Sequence, residues 1–291
     1  MQQRKNGKWI GYLLCPLVIE WIINILVKGA AQFCYVHMNV KRLEEAAGKS
    51  SDIAAVTAEL SRELSQYATE LTAVAAVITI PILWYLYQRE KKQNENRFGW
   101  QQEGQMRAQD YIMLTVMGAA ACIGMNSLVF LSGVQTVSEN YQAASTYMYS
   151  SPFWIQLLGL GILIPVKEEL VYRVILYRRM RERAGFGVSL IIVSVLFGIN
   201  HGNLVQFLFA AVLGGLLGYS YEKLHSAAAP VLLHIVINLT SLAGTWTGIF
   251  EWMSADALRM GILSVVSLVI TFGIVLKIRD IKQNNKVISE K

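Results

Sequence analysis

Two adjacent carboxylates, Glu168 and Glu169, lie just beyond the apolar stretch Phe153–Ile164, and Arg173 follows four residues after the second. A charged side chain deep in hydrocarbon costs about 2.5–3.5 kcal/mol, so such residues persist where they pair, face a water-filled cavity or react. At about 100° per residue, Glu169 and Arg173 lie on nearly the same face of a helix, whereas Glu168 points away from it. We therefore expect Glu169 and Arg173 to form an internal ion pair, which leaves Glu168 free to accept a proton from water.

The position of these carboxylates along the apolar run has two interpretations. In one, both glutamates flank the end of the run and only meet the arginine-rich segment that follows. Leu170, Val171 and Val174 continue the run past them, which favours a position inside it. Pro165, three residues earlier, has no N–H group, so it frees a backbone carbonyl beside the carboxylates and allows a bend there.

Two further polar pairs at helical spacing follow in equally apolar surroundings: His201 four residues after Phe197, and Asn238 four residues after His234. One histidine can orient or deprotonate water beside Glu168. The other, together with an amide, can donate hydrogen bonds to the oxyanion that forms when a peptide carbonyl is attacked. The same groups could instead hold zinc, with Glu168, His201 and His234 as ligands. A lone histidine in a membrane more often serves helix packing, and the sequence leaves these alternatives open.

The composition is that of a membrane protein. The chain has 291 residues, of which 54% are hydrophobic and 16% are charged, unlike a soluble domain of this size. Its three cysteines are widely spaced, which predicts neither a disulfide framework nor a thiolate metal site. The net charge of +6 comes from basic residues gathered in particular loops, so we do not expect nucleic-acid binding.

The apolar runs predict an all-α membrane bundle of about eight transmembrane helices. The fifth run is short and needs a shielded position in the bundle. The predicted spans are Trp9–Val27, Leu71–Tyr87, Tyr111–Leu131, Phe153–Leu176, Gly187–Asn200, Leu204–Tyr221, Ala227–Thr245 and Arg259–Leu276.

The distribution of lysine and arginine predicts the orientation of the bundle. Basic residues precede the first span, cluster in segments 89–107 and 178–183, and recur after residue 276, whereas loops 132–152 and 246–258 have none. Since cytoplasmic loops carry the excess of basic residues, both termini are expected in the cytoplasm. Segment 28–70 is the exception, but it is long and also rich in acidic residues, and its polar part predicts a soluble helix or hairpin.

An alternative interpretation makes residues 1–30 a cleaved signal peptide. Glu20 and Asn24 interrupt its apolar core on one shared helical face. That pattern favours a retained helix that packs a polar stripe inward, with Glu20 in an interhelical hydrogen bond. We accordingly divide the chain into N-terminal spans (1–131, with the extramembrane segment 28–70), a core (153–245) and a last span with a basic tail (259–291).

The core resembles the CPBP (CAAX protease and bacteriocin-processing) family, also called Abi. It has three motifs in the family's order: E-E-x-x-x-R at 168–173, F-x-x-x-H at 197–201 and H-x-x-x-N at 234–238. The resemblance implies an intramembrane endopeptidase similar to the type II CAAX prenyl endopeptidases. It implies that Glu168 is the base and that His201 assists it. It also implies that His234 and Asn238 stabilise the oxyanion. Members are labelled metalloproteases, and a metal-free, glutamate-activated water is also described, so the cofactor is either a divalent metal such as zinc or none.

The expected function is hydrolysis of a membrane-associated peptide or protein within the membrane, in contact with lipid and in the plasma membrane of a bacterium. The first alternative is a non-catalytic scaffold or a protein of bacteriocin self-immunity that keeps the motifs for structure. A second is a transporter in which the glutamates and histidines relay protons. A transporter would be expected to show inverted hydropathy halves, which the sequence lacks. The sequence decides neither the substrate nor the oligomeric state.

Overall fold

The computed structural model describes residues 2–48, 53–94 and 104–289, and over these residues all regular secondary structure is helical. This confirms the predicted all-α bundle. The helices, numbered in chain order, are α1 (Gln2–Met38), α2 (Val40–Gly48), α3 (Ile53–Ser65), α4 (Ala68–Asn94), α5 (Ala108–Ser132), α6 (Val134–Val137), α7 (Glu139–Met148), α8 (Phe153–Arg181), α9 (Phe186–Ile199), α10 (Leu204–Leu224), α11 (Ala228–Trp246), α12 (Ile249–Ser254) and α13 (Ala257–Ser289).

Six of the described helices are long and apolar enough to cross a membrane: α1, α4, α5, α10, α11 and α13. Helices α7 and α8 meet the same criterion only together, with a bend of 105° between them, which makes a seventh candidate span. Six of the eight predicted spans coincide with these six helices, Phe153–Leu176 lies in the seventh candidate, and Gly187–Asn200 lies in the shorter helix α9. Helix α8 carries three consecutive charges, Lys167 to Glu169, inside its apolar run, and α9 has only 14 residues.

The helices alternate in direction, so the predicted basic loops meet at one end of the bundle. There Arg179 of α8 pairs with Glu90 of α4, Tyr12 of α1 donates to Glu90, and Arg181 pairs with Glu222 of α10 at 3.0 Å. We call this end the basic end. Its location in the cytoplasm stays a prediction, and residues 95–103 of one basic loop lie outside the described residues.

The opposite end of the bundle joins the start of α4 to the segment between α7 and α8. Thr69 Oγ1 donates to the Met148 carbonyl at 2.9 Å, and Ser151 Oγ donates to Glu70 at 2.7 Å. Beside this junction, α3 packs on α2 and on α1. The predicted polar helix or hairpin of segment 28–70 is thus present as two helices, with residues 49–52 outside the description.

Helix α8 runs through the interior of the bundle and contacts α1, α4, α9, α10 and α11. Its residues from Leu170 to Tyr177 are all buried. Two stretches of α8, Gln156–Leu163 and Leu170–Tyr177, are wound as π-helix, and the α-helical stretch Ile164–Glu169 lies between them. Such wide turns are rare and often occur at functional sites. Here they flank the two carboxylates.

Candidate functional site

The wide turn before the carboxylates frees a carbonyl that fixes a neighbouring helix. The Ile164 N–H bonds to the Gly159 carbonyl, five residues back. Pro165 has no N–H to continue this pattern, so the Leu160 carbonyl needs a donor from outside α8. Asn238 of α11 provides one, with Nδ2 at 2.8 Å from that oxygen. The carbonyl that Pro165 was expected to free is therefore present, and it anchors the predicted site residue Asn238.

The predicted ion pair of Glu169 and Arg173 is present and fully buried. Arg173 Nη1 lies 2.8 Å from Glu169 Oε1, and both side chains are 1% exposed or less. Arg173 Nη2 also donates to the Gly214 carbonyl of α10 at 3.3 Å, and its guanidinium lies 4.2 Å from the centre of the Phe197 ring. A Cβ atom at Gly214 would lie 3.2 Å from Arg173 Nη2, so the absence of a side chain there admits the guanidinium.

His234 of α11 lies between the two carboxylates. Its Nδ1 is 2.7 Å from Glu169 Oε1, and its Nε2 is 3.9 Å from Glu168 Oε2. Because an ionised carboxylate only accepts hydrogen bonds, Nδ1 is the nitrogen that donates to Glu169. Glu169 therefore fixes the ring orientation and turns Nε2 toward Glu168. The distance of 3.9 Å is too long for a direct hydrogen bond, and a water molecule can bridge such a gap.

A cavity of about 540 Å³ adjoins this cluster and separates the predicted site residues into two groups. Glu168, His201, His234 and Asn238 line it, whereas Glu169 and Arg173 lie behind its wall. The structure thus brings four of the six predicted residues to one surface and places the other two as a buried support. This separation agrees with the helical spacing, which directs Glu168 away from the face of Glu169 and Arg173.

His201 lies in the polar turn between α9 and α10. Its Nδ1 is 2.9 Å from the Phe197 carbonyl, so Nδ1 donates to that oxygen and Nε2 is left with its lone pair. The rings of His201 and His234 both meet the Phe197 ring edge to face, at centroid distances of 5.0 and 5.8 Å. Phe197 therefore spaces the two histidines on the cavity wall.

Lys167 was missed by the sequence analysis. Its Nζ lies 2.7 Å from Glu20 Oε1 of α1 and 3.9 Å from Glu168 Oε1, and the Lys167 and Glu20 side chains are both nearly fully buried. Asn24 Nδ2 donates to the same Glu20 oxygen at 3.1 Å. The interhelical hydrogen bond expected of Glu20 is therefore the charged one to Lys167 of α8, whereas its bond with Asn24 lies within α1. The available signal was a third charge, Lys167, adjacent to the two glutamates inside an apolar run.

The metal that the family label implies was tested against the donor groups. A zinc site needs three or four nitrogen, sulfur or oxygen ligands around one point. Within the described part of the chain, no three His, Cys, Asp or Glu side chains are arranged so that they could hold a metal ion. The zinc set Glu168, His201 and His234 does not fit this geometry, and we derive no step through a metal.

The fold and site define a class: an all-α polytopic membrane bundle with a carboxylate and two histidines on the wall of an internal cavity. Residues 150–240 match the family model described as type II CAAX prenyl endopeptidase Rce1-like. All three motifs lie within that segment. The match confirms the resemblance of the core to the CPBP family.

A similarity to one curated protein agrees with this. The chain is 28% identical over 109 residues to "Putative membrane peptidase YdiL" of Bacillus subtilis (strain 168). The alignment covers 38% of this chain and 44% of that protein, so the chain spans less than half the length of this relative. No solved structure gives a significant match.

Proposed function

We propose that this protein is an intramembrane endopeptidase in which Glu168 activates a water molecule. The observation that carries the proposal is the contrast between two neighbouring carboxylates. Glu169 is fully buried and bonded to both Arg173 and His234. Glu168 lines the cavity, and the charged groups nearest to it, Lys167 and His234, stand 3.9 Å away. A carboxylate placed in this way can take a proton from water.

In the proposed reaction, Glu168 accepts one proton from water while the water oxygen attacks the peptide carbonyl carbon. The carbonyl oxygen becomes an oxyanion. Collapse of the tetrahedral intermediate breaks the C–N bond, and Glu168 returns its proton to the leaving amine. His201 assists by accepting a hydrogen bond from the water through Nε2, the nitrogen left with its lone pair.

His234 and Asn238 stabilise the oxyanion in this proposal. With both ring nitrogens protonated, His234 donates to Glu169 through Nδ1 and to the oxyanion through Nε2. An amide has two N–H groups, so Asn238 can hold the Leu160 carbonyl with one and turn the second to the oxyanion. The pair of Glu169 and Arg173 is a support for His234 and does not touch the substrate.

The proposed substrate is a peptide or a membrane-protein segment in contact with lipid, and the proposed location is the plasma membrane of a bacterium. The matched family model and the name of the Bacillus relative support the activity. The alternative is a non-catalytic scaffold or a self-immunity protein. The two differ in one respect, because only the endopeptidase needs a carboxylate that reaches the cavity.

The test compares peptides in membranes and medium, by mass spectrometry, from cells with the wild-type chain and cells with Glu168→Gln at matched abundance. Glu139→Gln, at an exposed glutamate of α7, is the matched control. We expect Glu168→Gln alone to abolish product peptides and to accumulate their precursor. Normal turnover by Glu168→Gln excludes Glu168 as the base. An unchanged peptide profile with a retained cellular phenotype favours the scaffold or immunity protein.

A further inference from the structure

The cavity extends from the carboxylate mainly toward one end of the bundle. Among the described residues, α8 contributes Leu160, Ile164 and Glu168 to the lining and nothing beyond Glu168. Helix α11 contributes five residues between His234 and Leu242 and none before His234. The remainder of α8 on the far side, from Leu170 onward, is packed in the hydrophobic core. Glu168 and His234 therefore lie near the inner end of the cavity, to which α10 contributes Leu213 and Leu217.

The other end of the cavity lies at the end of the bundle opposite the basic end. Its walls there include Lys28 in the second half of α1, Ser65 at the end of α3, Thr69 at the start of α4 and Tyr147 of α7. These elements form the junction around Thr69 and Met148 described above. Segment 28–70, for which the sequence suggested no role, thus builds part of the cavity mouth.

The depth of the site follows from helix geometry. Fifteen residues separate Phe153, where α8 begins, from Glu168, which at 1.5 Å per residue is about 22 Å. The hydrocarbon core of a bilayer is about 30 Å thick. The carboxylate therefore lies well inside the bundle, away from the end at which α8 begins, and the cavity connects it to that end.

We infer that the cavity opens to the extracytoplasmic face, and that the substrate class is a peptide segment presented on that side of the membrane. Basic loops stay in the cytoplasm, and the described basic loops meet at the end away from the mouth, with the exception of segment 28–70, which is also rich in acidic residues. The peptide part of this inference rests on the proposed function. Of the described lining residues, Lys28 and Glu168 are the only lysine, arginine, aspartate or glutamate, so the segment is mainly uncharged.

Cysteine accessibility tests the direction of opening without any use of peptidase activity. The native cysteines at positions 15, 34 and 122 are first replaced by alanine. Single cysteines are then introduced by Thr72→Cys or Ser241→Cys, two cavity-lining positions, and by Lys223→Cys at the basic end. A membrane-impermeant maleimide is applied to spheroplasts and to inverted membrane vesicles.

We expect Thr72→Cys and Ser241→Cys to be labelled in spheroplasts, and Lys223→Cys to be labelled only in inverted vesicles. Labelling of the cavity positions in inverted vesicles alone, or at neither position in either preparation, overturns the inference. Labelling of Lys223→Cys in spheroplasts overturns it too, because the basic end would then face outward. Because labelling needs no turnover, failure of the peptidase test leaves the direction of opening unaffected. Failure of the labelling test likewise leaves the proposed peptidase activity unaffected.

Discussion

Removal of the Arg173 guanidinium tests whether the buried pair supports the site. In Arg173→Met the side chain keeps most of its length, while Glu169 loses one of its two partners, the guanidinium at 2.8 Å, and keeps only the bond with His234 in a place without solvent. Breaking a buried pair by removing one partner costs about 3–5 kcal/mol, and the remaining bond with His234 puts the expected cost at the lower end. The contact of the guanidinium with Phe197 adds about 2 kcal/mol at a desolvated site. Arg173→Met should therefore be strongly destabilised.

The double variant Glu169→Gln with Arg173→Met removes both charges, so it should be more stable than Arg173→Met alone. Replacement of a whole buried pair by uncharged groups is often neutral. It should nevertheless lack activity, because His234 loses the carboxylate that orients it. The measurement is the melting temperature in detergent, with membrane abundance as a second readout.

Arg42→Met is the matched control for this experiment, since it breaks the pair with Glu63 on the surface, where ion pairs contribute little. It should leave the melting temperature nearly unchanged. The reasoning is refuted if Arg173→Met melts at the wild-type temperature. It is also refuted if the double variant is less stable than Arg173→Met.

Three further predictions concern other parts of the molecule. Gly214→Ala should lower the free energy of unfolding by about 1–3 kcal/mol through overpacking, because a Cβ atom there would lie 3.1 Å from the α9 backbone. Gly215→Ala is the control and should be tolerated, because the nearest atom to its Cβ would be 3.9 Å away. Equal melting temperatures of the two variants would contradict this prediction. Lys167→Met should lower the abundance of the protein in the membrane, because Glu20 of α1 loses the cation that it pairs with. Adding Glu20→Gln to this variant should restore the abundance. No recovery in the double variant would count against the ion pair of Lys167 and Glu20. The hydrogen bond from Arg42 lowers the pKa of Glu63. The contribution of this pair to the docking of α2 on α3 should therefore be complete above the ordinary glutamate pKa and should be lost as the pH falls through the lowered pKa. Limited proteolysis of α2 and α3 as a function of pH measures this loss, and an identical pH profile in Arg42→Gln would contradict the prediction.

Local geometry explains which part of the site could be predicted. The spacing of Glu169 and Arg173 determines their contact, because residues four apart meet on any helix. The same spacing assigns Glu168 to another face, which the cavity lining bears out. Both inferences need only the rise and rotation of one helix, so the sequence sufficed for them.

Contacts between helices could not be predicted in this way. Nothing in the sequence says that His234 bonds to Glu169, or that Lys167 meets Glu20 across 147 positions of the chain. Asn238 was expected at the oxyanion, and in the structure it donates to the Leu160 carbonyl. That contact depends on a π-helical turn, which hydrophobic periodicity does not reveal, because α and π windings expose similar apolar faces over so short a stretch.

The short helix α9 has a consequence for the surrounding lipid. Its 14 residues span about 21 Å, so it falls about 9 Å short of the hydrocarbon thickness of an average bilayer. The polar turn that follows, Asn200 to Asn203, then lies below the headgroups unless the bilayer thins locally around it. Thinning brings headgroups and water toward His201. The protein should therefore be more stable in vesicles of lipids with shorter acyl chains than in thick, sterol-rich bilayers.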